Sequence, residues 1–184
     1  PVHNSGAIAT DGELTLEATE LQNAGKDSVL SGKESVQVTL AEGNLANAGL
    51  IRSEEGGIDL ESKSLTNKGK LLSQAGLKTI VQGPVHNSGA IATDGELTLE
   101  ATELQNAGKD SVLSGKESVQ VTLAEGNLAN AGLIRSEEGG IDLESKSLTN
   151  KGKLLSQAGL KTIVQGPVHN SGAIATDGEL TLEA

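Results

Sequence analysis

The stretch NSGAIATDGELTLEATELQN, running from Asn4 to Asn23, decides how the rest of the chain is read. It opens on Asn-x-Gly, sets one apolar residue at Ile8, and crosses a polar segment to Gly12. It then alternates over Leu14-Thr15-Leu16 and closes on Leu21, two positions before Asn23 begins the line again. Alternation with a period of two marks a strand with one buried and one wet face. A helix over Glu13 to Leu21 competes, because Leu, Glu and Ala form helices well. It loses to the glycines that punctuate every such segment, each costing about 1 kcal/mol inside a helix.

Outward from this stretch the same line recurs. Asn-x-Gly starts at Asn4, Asn23, Asn47 and Asn67, then at Asn87, Asn106, Asn130, Asn150 and Asn170. After each of the first four comes an apolar residue (Ile8, Val29, Ile51, Leu71) and a second glycine (Gly12, Gly32, Gly57, Gly76). An alternating strand follows, over Leu14-Thr15-Leu16, Val36-Gln37-Val38, Ile58-Asp59-Leu60 and Leu77-Lys78-Thr79, and a last apolar residue closes the line at Leu21, Leu45, Leu65 or Val85. Four such coils make an 83-residue block, and residues 1–101 return unchanged as residues 84–184. Tandem copies normally drift, so this identity implies a recent duplication or a sequence assembled by design.

Coils of about 20 residues belong to the length class of β-solenoids and leucine-rich repeats, and the L-x-x-L-x-L-x-x-N line of the latter is missing. The fold expected is all-β: a parallel β-helix with about four coils per block, forming one continuous solenoid over residues 1–184 (blocks 1–83, 84–166 and a partial 167–184). One coil cannot bury its apolar face alone, so coils stack about 4.8 Å apart along the axis. Inward files are expected along Ile8, Val29, Ile51, Leu71 and along Leu14, Val36, Ile58, Leu77. Glycines with positive φ are expected at the corners. The Asn falls once per coil, where its side-chain amide can bond the Asn above and below, or serve as a turn residue in the left-handed region. A structural Asn ladder is therefore expected at Asn4, Asn23, Asn47, Asn67, Asn87, Asn106, Asn130, Asn150 and Asn170. The second coil is longer than its neighbours, and the excess is expected at Ala41-Glu42-Gly43-Asn44, giving a protrusion at 42–44 and again at 125–127.

Composition narrows the function. The 184 residues contain no Phe, Tyr, Trp, Met or Cys, so the core must be built from Leu, Ile, Val and Ala. The three branched aliphatics supply about a quarter of each block, above the level at which disorder is the default. A net charge of −11, with 25 acids scattered among 14 bases, offers no basic stripe for phosphates, and without aromatics there is no platform for stacking bases. Nucleic acid is therefore not an expected partner. No apolar run approaches the roughly 20 residues of a membrane helix. A start at Pro1 rather than Met suggests an excised segment, so missing targeting signals say little about a parent protein.

Candidate sites weaken under the same reading. His3, His86 and His169 are the only imidazoles, and four coils, about 19 Å, separate neighbours; they cannot share a metal ion. Asp59 and Glu61 alternate outward behind Glu54 and Glu55, in a spacing open to glycosidic chemistry, which requires one shielded carboxyl. A solvated strand face accounts for them more simply. The calcium nonapeptide is ruled out because Gly56-Gly57-Ile58-Asp59 departs from Gly-Gly-x-Gly. No catalytic residue, cofactor or metal is expected. Identical repeats suit shafts and multivalent binders better than catalytic centres.

The line N-x-G-x-I-x(3 to 5)-G-x-L-x-L-x-A-x-x-L-x-N from Asn4 to Asn23 resembles the haemagglutinin repeats of filamentous haemagglutinin-like and contact-dependent inhibition exoproteins. The resemblance implies a right-handed parallel β-helix, secretion through an outer-membrane partner, a place at the bacterial cell surface, and a role as the rigid shaft of an adhesin or toxin carrier. A receptor on a host or neighbouring cell would belong to the parent protein. The amino-terminal secretion domain and a toxin tip are missing here, and the identical copying departs from the varied repeats of such proteins. The function expected is a non-catalytic structural rod, with a polysaccharide-degrading β-helix enzyme as the alternative. Ala184 matches Ala101 and Ala18, so the chain stops within a coil, and self-association through uncapped ends is expected.

Overall fold

A computed structural model describes residues 1–184, which form 27 strands and no helix. Three strands make one turn. In the first turn these are β1 (Val2–Asn4), β2 (Ala7–Thr10) and β3 (Glu13–Glu17). The pattern repeats through β25 (Val168–Asn170), β26 (Ala173–Thr176) and β27 (Glu179–Glu183). Every third strand joins the same sheet, so the chain winds about nine turns and builds three nine-stranded sheets. All pairings are parallel and in register, for example Leu65 with Leu45 and Val85, and Asn67 with Asn47 and Asn87. The molecule is a parallel β-solenoid, as the repeat pattern requires.

Short strands suffice because alternate side chains turn inward. β9 (Gly57–Ser62) and β12 (Gly76–Val81) alternate between half-buried or exposed and fully buried residues along their length. The core is one cluster of 31 aliphatic residues running along the axis, and no aromatic is needed because the space inside a turn is narrow. Leu21, Leu45, Leu65 and Val85 line up under the first sheet. Leu14, Val36, Ile58 and Leu77 line up under the third. Each fully buried Leu or Ile contributes about 1.5–3 kcal/mol relative to exposure.

One expected file member is wrong. Leu30, not Val29, pairs with Ile8 and Ile51, and it is fully buried while Val29 looks outward. The cause is where the second coil carries its extra length. From Asn to the inward residue of the second sheet is four positions in the first and third coils, Asn4 to Ile8 and Asn47 to Ile51, but seven in the second, Asn23 to Leu30. Three of the extra residues therefore lie at Lys26-Asp27-Ser28, in a tight bulge where Ser28 Oγ donates to the Gly25 carbonyl at 2.8 Å. The same bulge recurs at Lys109-Asp110-Ser111. The other two extra residues lie where expected, between Val38 and Leu45, which are seven positions apart against five from Leu16 to Leu21 and from Leu60 to Leu65. Ala41, Glu42 and Asn44 are exposed there, and only the glycine between them turns in. Gly43 is buried, and a Cβ there would stand 1.6 Å from the Thr19 carbonyl oxygen.

Most corner glycines serve a different purpose from the one expected. Positive φ occurs only at Gly25, Gly76 and Gly108, and at no other residue type, so no Asn occupies the left-handed region. Of the Asn-x-Gly glycines, Gly25 and Gly108 hold positive φ and have open space around them, whereas Gly49, Gly69, Gly89, Gly132, Gly152 and Gly172 are required by stacking. A Cβ on Gly69 would sit 2.0 Å from the Gly49 carbonyl oxygen, and one on Gly89 2.0 Å from that of Gly69. Gly6, in the first turn with nothing beneath it, would meet nothing within 4 Å.

Candidate functional site

The Asn residues end the strands of the first sheet, where alternation turns their side chains inward at the corner. Asn23, Asn67, Asn87, Asn106 and Asn150 have no exposed surface. Each Nδ2 donates to Oδ1 of the Asn one turn on. The distance is 2.8 Å from Asn4 to Asn23, Asn23 to Asn47, Asn47 to Asn67, Asn67 to Asn87, Asn87 to Asn106 and Asn106 to Asn130. It is 2.9 Å from Asn130 to Asn150 and 2.8 Å from Asn150 to Asn170. The same amides also donate to backbone carbonyls across the corner, as Asn67 does to Gly69 at 3.2 Å and to Ala90 at 3.1 Å. A buried amide that finds this many partners is satisfied, and leaving one unsatisfied costs about 1–3 kcal/mol.

A second file of polar side chains escaped the sequence reading. At the next corner Thr10, Gly32 and Ser53 stack in register, and Ser73, Thr93, Gly115, Ser136, Ser156 and Thr176 continue the line. Ser73 Oγ lies 2.9 Å from Thr93 Oγ1 and 2.6 Å from the Gly76 carbonyl oxygen. The signal was a Ser or Thr two residues past each inward apolar residue, broken by Gly32 and Gly115. There a Cβ would strike the Ser35 and Ser118 carbonyl oxygens at 2.0 Å.

The histidines lie on the outer face of the first sheet. His3 Nδ1 is 3.1 Å from Gln22 Oε1, and His86 Nδ1 is 3.2 Å from Gln105 Oε1. No group of three or more His, Asp or Glu side chains is placed to hold a metal ion. Asp59 and Glu61 point outward from the third sheet and line a shallow recess of about 210 Å³ with Gln37, Thr39, Lys78 and Ile80. Its twin surrounds Asp142, Glu144, Lys161 and Ile163. Acid catalysis on a sugar calls for a carboxyl shielded from water, and all four of these carboxylates are exposed. What the arrangement does best is hold turns in register.

The haemagglutinin repeat family matches residues 2–49, 29–132 and 112–184. The chain is 31% identical over 191 residues to an Escherichia coli protein named toxin CdiA, covering 98% of the chain and 6% of that protein. It is 32% identical over 218 residues to a tRNA nuclease CdiA of Escherichia coli O6:K15:H31, covering all of the chain and 7% of that protein. A deoxyribonuclease CdiA of Dickeya dadantii is 31% identical over 178 residues, 94% of the chain and 5% of its own length. The chain thus spans a small fraction of these relatives. No solved structure is significantly similar.

Proposed function

The chain belongs to the haemagglutinin repeat family, and from that premise we propose that it is a length of rigid shaft from a secreted bacterial surface protein related to the CdiA toxins. The observation that carries this reading is the unbroken stacking of three parallel sheets through about nine turns. An in-register solenoid of this kind resists bending because every turn is hydrogen-bonded to both neighbours. The Asn ladder sits at a corner where a strand must end in the same place each time, and its role is to lock that register.

The segment carries no catalytic activity of its own. Two of these relatives are named as nucleases and one as a toxin, but it matches only 5–7% of their length, and its outward carboxylates are solvated. The shaft's place is the cell surface, where it holds another part of the parent protein away from the envelope, and any receptor on a neighbouring or host cell is met by that larger protein. In the 184-residue chain the last turn leaves Leu180 52% and Leu182 44% exposed, which favours end-to-end stacking of free solenoids.

Small-angle scattering on chains of two and four 83-residue blocks tests the rod. Each block should add about 19 Å of length, four turns at about 4.8 Å, with the cross-section unchanged. A particle that thickens instead of lengthening refutes the shaft, and cleavage of tRNA or plasmid DNA by the purified chain refutes the non-catalytic reading.

A further inference from the structure

The three outer faces differ sharply in charge. On the second sheet the outward side chains include Arg52, Lys70, Arg135 and Lys153 and no acid at all. On the third they include ten acids, among them Glu17, Asp59, Glu61, Glu100, Asp142 and Glu144, against only Lys78 and Lys161. The first sheet is almost neutral. A chain of net charge −11 therefore keeps one basic face, set edge to edge with an acidic one.

The basic face is also the more apolar. Val29, Leu50, Leu72, Val112, Leu133 and Leu155 stand on it, half-buried and covered by no other element. Arg52 and Arg135 are held by Glu54 and Glu137 at the neighbouring corner. Lys70 and Lys153 are exposed and enter no ion pair, each flanked in register by aliphatic neighbours: Leu50 and Ala90 for the first, Leu133 and Ala173 for the second. The acidic face carries half-buried Ile80 and Ile163 beside the recesses at Asp59 and Asp142.

We propose that two copies of this chain pack side by side, the basic second sheet of one against the acidic third sheet of the other. Charge complementarity selects the pair of faces, since like faces would set lysine against lysine or carboxylate against carboxylate. The repeat selects a second copy over any other acidic partner. Lys70 and Lys153 are one block apart, and so are Glu61 and Glu144. An axial offset that seats one lysine among acids therefore seats the other. A partner without the same period would match at one block and miss at the next.

Size sets the strength. Nine strands at about 4.8 Å and four residues at about 3.3 Å give a face of about 570 Å². Two partners then bury about 1,140 Å², just under the roughly 1,200–2,000 Å² of stable complexes. For this chain the contact is reversible and salt-sensitive, and each added block strengthens it by adding matched length.

Sedimentation velocity on the full chain tests this at low and high salt, with Leu182→Glu introduced throughout to remove end-to-end stacking. Lateral pairing should weaken by about tenfold or more at high salt and in Lys70→Glu/Lys153→Glu. Lys70→Gln/Lys153→Gln should weaken it less. Glu61→Lys/Glu144→Lys should weaken it as well, and mixing the two charge-reversed chains should restore association. Far-UV circular dichroism confirms that these exposed substitutions leave the solenoid folded. Association that ignores the lysine substitutions, fails to return on mixing, or vanishes with Leu182→Glu alone overturns the proposal and leaves end-to-end stacking as the only contact.

Discussion

Replacing Asn67 separates the ladder from simple packing. Its Nδ2 donates to Gly69, Asn87 and Ala90, and its Oδ1 accepts from Asn47 at 2.8 Å. In Asn67→Ala, Asn47 keeps its bonds to the Gly49 and Lys70 carbonyls, but Asn87 Oδ1 loses its donor in a site with no exposed surface. One stranded acceptor plus a small void costs about 3 kcal/mol, which for a chain of this length lowers Tm by about 6–12 °C. Asn67→Asp keeps the shape and removes the donors. Its carboxylate would face Asn87 Oδ1 and two carbonyl oxygens with nothing to donate between them, so it should cost at least as much at neutral pH. The sign with pH follows: the site favours the protonated acid, raising its folded pKa. The penalty is therefore smallest at pH values below that of a free Asp, about 3.9, where the acid donates one hydrogen to the site, and grows as pH rises. Thermal melts by circular dichroism at pH 3.5 and 7, with amide hydrogen exchange to localise any opening, measure both variants. An Asn67→Asp chain that melts with the wild type at pH 7 would refute the ladder, because packing alone would then account for the residue.

Gly6 and Gly89 share one sequence context, so one serves as the control for the other. Gly89→Ala sets a methyl 2.0 Å from a backbone oxygen and should cost about 3 kcal/mol or more, while Gly6→Ala, with open space around it, should stay within about 0.5 kcal/mol; equal melting temperatures would remove stacking as the reason for the glycine. Thr79 and Thr162 are buried in an aliphatic file with their hydroxyls unpartnered, so Thr79→Val/Thr162→Val should raise stability by about 1–3 kcal/mol. A fall in the denaturation midpoint would mean the hydroxyls are satisfied in solution.

The repeat line and the solenoid were legible in the chain because both signals are local. Alternation with period two states which face of a short strand is buried, and an Asn returning once per coil can stack only if coils do. The families of files over Leu14 and Leu21 follow from that alone. Local pattern could not choose between Val29 and Leu30, adjacent aliphatics of similar character. A one-residue shift exchanges the two faces of a strand, and that choice depends on how many residues the Gly25–Ser28 bulge absorbs. The hydroxyl file was hidden for a related reason: Ser and Thr are common throughout, and only stacking shows which of them coincide.

Composition, period and the Asn line are properties of the string, so the sequence by itself determined that this protein is a stack of β-coils without an aromatic core. The tertiary structure decided what the string cannot encode one residue at a time. It showed that most corner glycines clear the backbone of the turn beneath, and that scattered charges sort into a basic face and an acidic one. Winding is the physical reason: residues about 20 positions apart become neighbours 4.8 Å apart, and only then do clearance and charge have a surface on which to act.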